Sequence, residues 1–100
     1  MIKHIVMFKL RSDYTKKEKY VISLQIQAIL NSLKNKIPEI ISYETGINIL
    51  ETPNSYDIVL VSTFENKESL QGYATNSLHL EALEKINKVC SDKKTVDYLI

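Results

Sequence analysis

The chain has a single cysteine, Cys90, among its 100 residues, and this scarcity excludes several kinds of site. One thiol cannot form a disulfide within the chain or build an all-cysteine metal site. The only two glycines, Gly46 and Gly72, do not belong to a glycine-rich phosphate loop. The two histidines, His4 and His79, lack the spacing of metal ligands such as His-x-x-x-His. The sequence therefore predicts no metal and no cofactor.

An excess of charge of one sign is also missing, because 13 Lys and Arg stand against 12 Asp and Glu for a net charge of +1. A nearly neutral chain has no electrostatic reason to bind nucleic acid or an anionic membrane surface. The apolar run at residues 5–8 is bounded by lysines and is too short for a signal sequence. No run approaches the roughly 20 apolar residues of a membrane span. These absences predict a cytoplasmic protein without nucleic-acid or membrane partners.

What the chain does have is a first strand, within residues 1–10, that is apolar on both faces. Successive side chains of a strand point to opposite faces. One row holds Ile2, His4, Val6, Phe8 and Leu10, and the other holds Ile5 and Met7 between two lysines. A third strand at residues 56–64 repeats this pattern, with Val59 and Val61 on one row. Because a monomer rarely exposes such a patch, Ile5, Met7, Val59 and Val61 predict a homodimer with its two sheets face to face.

Cap signals and apolar periodicity predict the elements between these two strands. Thr15 and Glu18 have the spacing of a capping box. Apolar residues then recur at helical spacing as far as Pro38, which ends the predicted helix. Residues 40–50 predict strand two, in which Gly46 indicates a bulge or a close backbone approach.

The second half of the chain predicts a helix in two pieces and a last strand. Asn66 is expected to cap a short helix that runs to about Ala74. A break at residues 75–77, a helix over residues 78–89, a turn at 92–94 and a strand at 95–100 are expected to follow. The order βαββαβ predicts a ferredoxin-like α+β fold, with a four-stranded antiparallel sheet and helices on one face. We expect one domain over residues 1–100.

His4, Tyr73 and His79 are the candidate catalytic residues. His4 lies on the apolar row of the first strand, where it is either a hydrogen-bonded core residue or faces a cavity. His79 falls in the first turn of the last helix, where the helix dipole disfavours imidazolium and keeps the ring available as a base. Together with Tyr73, which ends the preceding helix, these side chains could polarise a carbonyl group and move a proton. The alternative is that His4 is a satisfied core histidine and Tyr73 is a packing residue.

The body of the predicted pocket is apolar and suits a small hydrophobic ligand. Its expected substrate-binding residues come from the sheet and from two helices: Val6, Phe8, Ile22, Ile26, Leu60 and Leu83. If Ile22, Ile26 and Leu83 fill the space beside His4 completely, chemistry at His4 is excluded. The protein would then be a non-catalytic dimer with no ligand pocket.

Four blocks of the sequence resemble the stress-responsive dimeric α/β-barrel (Dabb) family. They are residues 2–9, residues 56–64, residues 70–73 with His79, and residues 96–98. The resemblance implies a homodimer in which the two sheets form a barrel. The family includes plant polyketide cyclases, where a His on strand one, a Tyr and a His before the last helix line a pocket. Those roles would fall on His4, Tyr73 and His79.

In those cyclases the Tyr and the final His act in an intramolecular aldol condensation, although most members of the family have no assigned activity. The chain departs from the common Tyr-x-x-His-Pro-x-His pattern, since Asn76 replaces the first His and Ser77 the Pro. The resemblance thus implies a dimer that binds an apolar, carbonyl-bearing molecule, with cyclase- or isomerase-like proton transfer. A non-catalytic stress-associated dimer is the alternative. A monooxygenase of the related dimeric barrels is less favoured, because no residue cluster indicates a haem or oxidation site.

Overall fold

Four strands and three helices make up the structure, a computed structural model that describes all 100 residues. In chain order they are β1 (Ile2–Leu10), α1 (Lys16–Asn31), β2 (Ser42–Ile47), β3 (Ile58–Phe64), α2 (Lys67–Thr75), α3 (Ser77–Asn87) and β4 (Cys90–Leu99). The strands form one antiparallel sheet in the order β2-β3-β1-β4. This confirms the predicted ferredoxin-like α+β fold. None of the helices combines the length and apolar character needed to cross a bilayer.

The start of α1 follows the prediction and its end does not. Thr15 Oγ1 accepts a hydrogen bond from the Glu18 N–H at 3.1 Å, and Glu18 Oε1 accepts one from the Thr15 N–H at 2.8 Å. The helix ends at Asn31 instead of continuing to Pro38. Carbonyl groups at the end of the helix accept hydrogen bonds from the turn that follows: the Ser32 hydroxyl donates to the Ile29 carbonyl at 2.6 Å. Apolar residues beyond Asn31 therefore reach the core from turns, which periodicity alone does not distinguish from helix.

Strand β2 is shorter than the predicted range of residues 40–50, and it contains no bulge. Gly46 pairs with Val59 in an unbroken register. A Cβ at Gly46 would lie 3.3 Å from Val59 Cγ1. Of the two predicted roles of Gly46, the close approach to a neighbouring strand is the one found.

The expected turn at residues 92–94 is wrong, because these residues belong to β4. Asp92, Lys93 and Lys94 pair with Lys9, Phe8 and Met7 of β1, next to a register shift between Lys9 and Leu10. No residue of β4 is buried. An exposed edge strand accepts polar residues that would otherwise indicate a turn.

The two faces of the sheet differ as the rows of β1 predicted. Val6, Phe8 and Leu10 lie on the inner face, in one buried cluster with residues of all three helices. Ile5 opposes Val61, and Met7 opposes Val59, on the outer face. Val96 of β4 pairs with Ile5 and extends this surface, which we call the outer patch (Ile5, Met7, Val59, Val61 and Val96). Met7 and Val96 are 40% and 53% exposed, so the outer patch is uncovered within one chain.

Candidate active site

A cavity of about 410 Å³ lies on the inner face, between the sheet and helices α2 and α3. This volume is within the usual range of small-molecule sites. Its walls are mainly apolar, and five exposed polar residues form what we call the rim: Lys67, Gln71, Lys93, Thr95 and Asp97. His4, Tyr73 and His79 all line the cavity. The structure thus brings together the three residues that the sequence singled out, from β1, α2 and α3.

Four of the six predicted substrate-binding residues line the cavity, namely Val6, Phe8, Leu60 and Leu83. Ile22 and Ile26 do not. Ile26 is 2% exposed in the packed core, and Ile22 packs against that core from its edge. The cavity is reached one turn further along α1, at Leu30. The space beside His4 is therefore not filled by Ile22 and Ile26.

His4 is both hydrogen-bonded and at the cavity wall. Its Nδ1 is bonded to Asp97 Oδ1, directly across the β1–β4 pair. Because a carboxylate only accepts hydrogen bonds, Nδ1 of His4 carries a proton and donates it to Asp97. The His4 side chain is 13% exposed and that of Asp97 is 43% exposed. Asp97 thus orients the His4 ring from the rim.

His79 lies in the first turn of α3, as predicted, with its ring against Tyr73 at a centroid distance of 4.3 Å. Its Nδ1 donates to the Ala74 carbonyl at 3.0 Å, which leaves Nε2 as an acceptor. Burial is the main cause that lowers the pKa of His79, the hydrogen bond to the Ala74 carbonyl opposes it, and the positive charge of Lys93 lowers the pKa further. His79 is therefore a neutral ring with a free basic nitrogen.

Tyr73 is 1% exposed, and its hydroxyl lies 2.8 Å from that of Tyr43 on β2. Burial raises the pKa of both phenols, so both are protonated at neutral pH. Either hydroxyl can donate in this pair; when Tyr43 donates, the O–H of Tyr73 is free to donate to a group in the cavity. Tyr43 is the residue behind Tyr73 that sequence reasoning missed, because only the pairing of β2 with β3 brings it there.

A single residue, Asn76, separates α2 from α3. Its backbone N–H donates to the Tyr73 carbonyl at 3.1 Å, and its Oδ1 accepts from the Leu78 N–H at 2.9 Å. The expected three-residue break is thus one residue long. Asn76, which stands in place of the histidine of the common pattern, acts as the cap that joins the two helices.

The cavity contains no arrangement suited to a metal. No three His, Cys, Asp or Glu side chains are grouped closely enough to hold an ion. The polar groups of the cavity are two imidazoles, one phenol and the rim side chains. Such a set can accept a proton and donate hydrogen bonds, which is acid–base chemistry.

Known proteins share this fold and sequence pattern. Residues 2–100 match the family described as Stress responsive A/B Barrel Domain. A stress-response A/B barrel domain-containing protein from Arabidopsis thaliana is 26% identical over 103 residues, and the match covers 99% of this chain. The match spans only 36% of that plant protein, so the chain is about a third of its length.

Two solved structures extend the comparison. A dimeric protein of unknown function with a ferredoxin-like fold, from Bacteroides fragilis, is 32% identical with a TM-score of 0.88, covering 99% of this chain and 95% of that one. A hydroxynitrile lyase from Passiflora edulis has a TM-score of 0.79 at 20% identity, covering 99% and 92%. At that identity the likeness to the lyase shows the fold alone. Because the family match extends over almost every residue, the chain belongs to the stress-responsive A/B barrel domain (Dabb) family.

Proposed function

We propose that the protein binds an apolar, carbonyl-bearing small molecule in the cavity beside His4 and catalyses proton transfer on it. The observation that carries this proposal is the convergence of His4, Tyr73 and His79 on one cavity of about 410 Å³ with mainly apolar walls. Apolar walls hold the body of a ligand, and a few polar groups orient it. The free nitrogen of His79 and the hydroxyl of Tyr73 are the groups that act on it.

The proposed chemistry begins with removal of a proton from the carbon next to a carbonyl group. His79 Nε2 takes that proton, and the Tyr73 O–H donates to the carbonyl oxygen, where negative charge develops. In a β,γ-unsaturated ligand the resulting dienolate takes the proton back from His79 at the γ-carbon, which shifts the C=C bond and is an isomerisation. In a ligand with a second carbonyl group the enolate carbon attacks that carbonyl, and the alkoxide formed takes the proton from His79, which closes a ring. His4, oriented by Asp97, supplies a further polar contact to the ligand.

The first test uses α-deuterium exchange, because it needs no knowledge of the natural substrate. A thermal-shift screen of hydrophobic ketones and keto acids selects a compound that binds, and NMR then follows exchange of its α-protons in D₂O. We expect His79→Ala to slow exchange by about 10²–10⁴-fold, the usual contribution of a general base. Tyr73→Phe should slow it as well, whereas Tyr20→Phe, at a tyrosine 59% exposed on α1, should not.

Two results would contradict this proposal in different ways. If the α-protons of a bound compound exchange no faster than they do in D₂O alone, the protein binds the compound but does not catalyse proton transfer on it. If no carbonyl compound shifts the wild-type melt, and His79→Ala and Tyr73→Phe both melt well below wild type, then these side chains are structural. The second result would favour the non-catalytic stress-associated dimer.

We also propose that two copies pack through the outer patch to form a homodimer. The patch is apolar and uncovered, and the 32% identical protein from Bacteroides fragilis is dimeric. Val61→Lys would bury an unpaired ammonium in such an interface at a cost of several kcal/mol. We expect this variant to be an unstable monomer or insoluble. Wild-type protein that sediments as a monomer at micromolar concentration would contradict the proposal.

A further inference from the structure

The rim of the cavity carries two lysines that have no carboxylate partner. Lys67 is the first residue of α2, and Lys93 lies on the inner face of β4, paired with Phe8. The two pairs of a Lys or Arg with a carboxylate involve other residues, Arg11 with Asp13 and Lys94 with Asp92. Asp97 is hydrogen-bonded to His4. Two ammonium groups at one opening, neither of them neutralised, form a local positive field that faces the ligand site.

The only carboxylate that lines the cavity is that of Asp97, and one of its oxygens already accepts a hydrogen bond from His4. With both histidines counted as neutral, the two positive charges of the lysines and the one negative charge of Asp97 leave one uncompensated positive charge at the rim. A monoanion balances that charge. A carboxylate carries one negative charge at neutral pH, whereas a phosphate monoester carries about −1.5 to −2. The charge count therefore favours a carboxylate.

The polarity of the walls changes from the rim to the interior. The interior is formed by side chains such as Phe8, Leu60 and Leu83, while the Gln71 amide and the Thr95 hydroxyl join the lysines at the rim. A ligand with one charged end and an apolar body matches this gradient. Its carbonyl group would lie deeper, where Tyr73 and His79 line the cavity.

We propose that the ligand is an apolar keto acid, whose carboxylate is held at the rim by Lys67 and Lys93. This inference rests on the proposed function and specifies its substrate class. The charged end anchors the molecule, and the length of its carbon chain sets which carbonyl meets Tyr73 and His79. The lysines are binding residues in this scheme and take no part in the proton transfer.

The test compares a keto acid with its neutral ester. We would measure the affinities of 7-oxooctanoate and its methyl ester by calorimetry at low salt, for wild type, Lys67→Met, Lys93→Met and the double variant. Methionine keeps the aliphatic stem and removes the charge. Lys85→Met is the control, because Lys85 is exposed on α3 and does not line the cavity.

We expect wild type to bind the acid about ten-fold more tightly than the ester, since a hydrogen bond to a charged group contributes this much. Each rim variant should lose most of that preference and the double variant all of it. Ester affinity should stay the same in every variant. Lys85→Met should bind both compounds as wild type does.

The failures of the two proposals are distinguishable. Equal wild-type affinity for acid and ester, unchanged in the rim variants, would overturn the keto-acid inference and leave the carbonyl site standing. An equal loss in Lys85→Met would reduce the effect to general charge attraction and overturn it too. Tighter binding of octyl phosphate than of the keto acid would assign the rim to phosphate instead. Failure of both acid and ester to bind, with no compound in the thermal-shift screen raising the melting temperature, would overturn the proposed function itself.

Discussion

The two halves of the inner sheet face differ in how closely the helices cover them. Over β2 and β3, Tyr43, Ile58 and Phe64 are at most 5% exposed, and Gln27 of α1 donates to the Thr45 carbonyl of β2 at 3.3 Å. Beside β4, where no residue is buried, the cavity occupies the space instead. A closely packed half and a half with an open cavity therefore lie side by side on one sheet. The packed half stabilises the fold, and the open half is free to bind a ligand.

Two residues one turn apart on α3, Ile86 and Leu83, should differ most in how much their truncation lowers the free energy of unfolding. Ile86 is 0% exposed in the core, whereas Leu83 is half-buried at the cavity. Ile86→Ala should lower the free energy of unfolding by about 2–5 kcal/mol, through lost burial and a new void. Leu83→Ala should cost roughly 1 kcal/mol, because it only enlarges a space that already exists.

Urea unfolding measures both losses, and the protein concentration is kept fixed because the proposed dimer would contribute to stability. Equal losses for Ile86→Ala and Leu83→Ala would mean that the cavity is closed in solution. The two halves of the inner sheet face would then be packed equally closely.

Two helix caps, one on each side of this division, are expected to have smaller effects on stability. Thr15 caps α1, and Asn66 caps α2, where its Oδ1 accepts from the Ser69 N–H at 2.9 Å. Replacing either residue with Ala should cost about 1 kcal/mol of stability. Only Asn66→Ala should also weaken binding of 7-oxooctanoate, because α2 carries Tyr73. A denaturant midpoint unchanged in Thr15→Ala would show that this cap is not needed.

The smallest effect is a pH dependence from His79. Its pKa is 6.5 when unperturbed and is lowered by burial in the folded protein. As the pH falls through 6.5, the unfolded chain binds a proton that the folded protein does not, so stability decreases. His79→Gln should remove this part of the decrease, seen as a flatter melting temperature between about pH 8 and about pH 5. Identical pH profiles for both proteins would show that His79 titrates normally.

Most of the fold was predictable because local patterns carry it. The capping box at Thr15, the cap at Asn66 and the alternating rows of β1 all have local sequence signals, and the structure has each of them. The errors lie where tertiary contacts override those signals. Polar residues 92–94 have the composition of a turn, but pairing with β1 makes them an edge strand.

The site was predictable only in part, for the same reason. His4, Tyr73 and His79 were selected by residue type and by their positions at the ends of elements, and the structure brings them to one cavity. Asp97 and Tyr43 were not assigned to the site. Asp97 meets His4 through the β1–β4 register, and Tyr43 meets Tyr73 across the core. His4 and Asp97 are 93 positions apart in the sequence, and Tyr43 and Tyr73 are 30 positions apart. Contacts over such separations have no local sequence signal.

Because Asn76 alone joins α2 to α3, the geometry of the site depends on the number of residues at this joint more than on which residues they are. Each residue added to a helix turns the following side chains by about 100° around its axis. An insertion or deletion between Tyr73 and His79 would therefore rotate the imidazole away from the phenol, whatever residue was added. Substitution at the same place leaves the spacing intact, and the sequence carries Asn76 and Ser77 where the common pattern has His and Pro. The spacing of six residues from Tyr73 to His79 therefore sets how the two rings meet. Among homologous chains we expect the residues between them to vary and their number to stay the same.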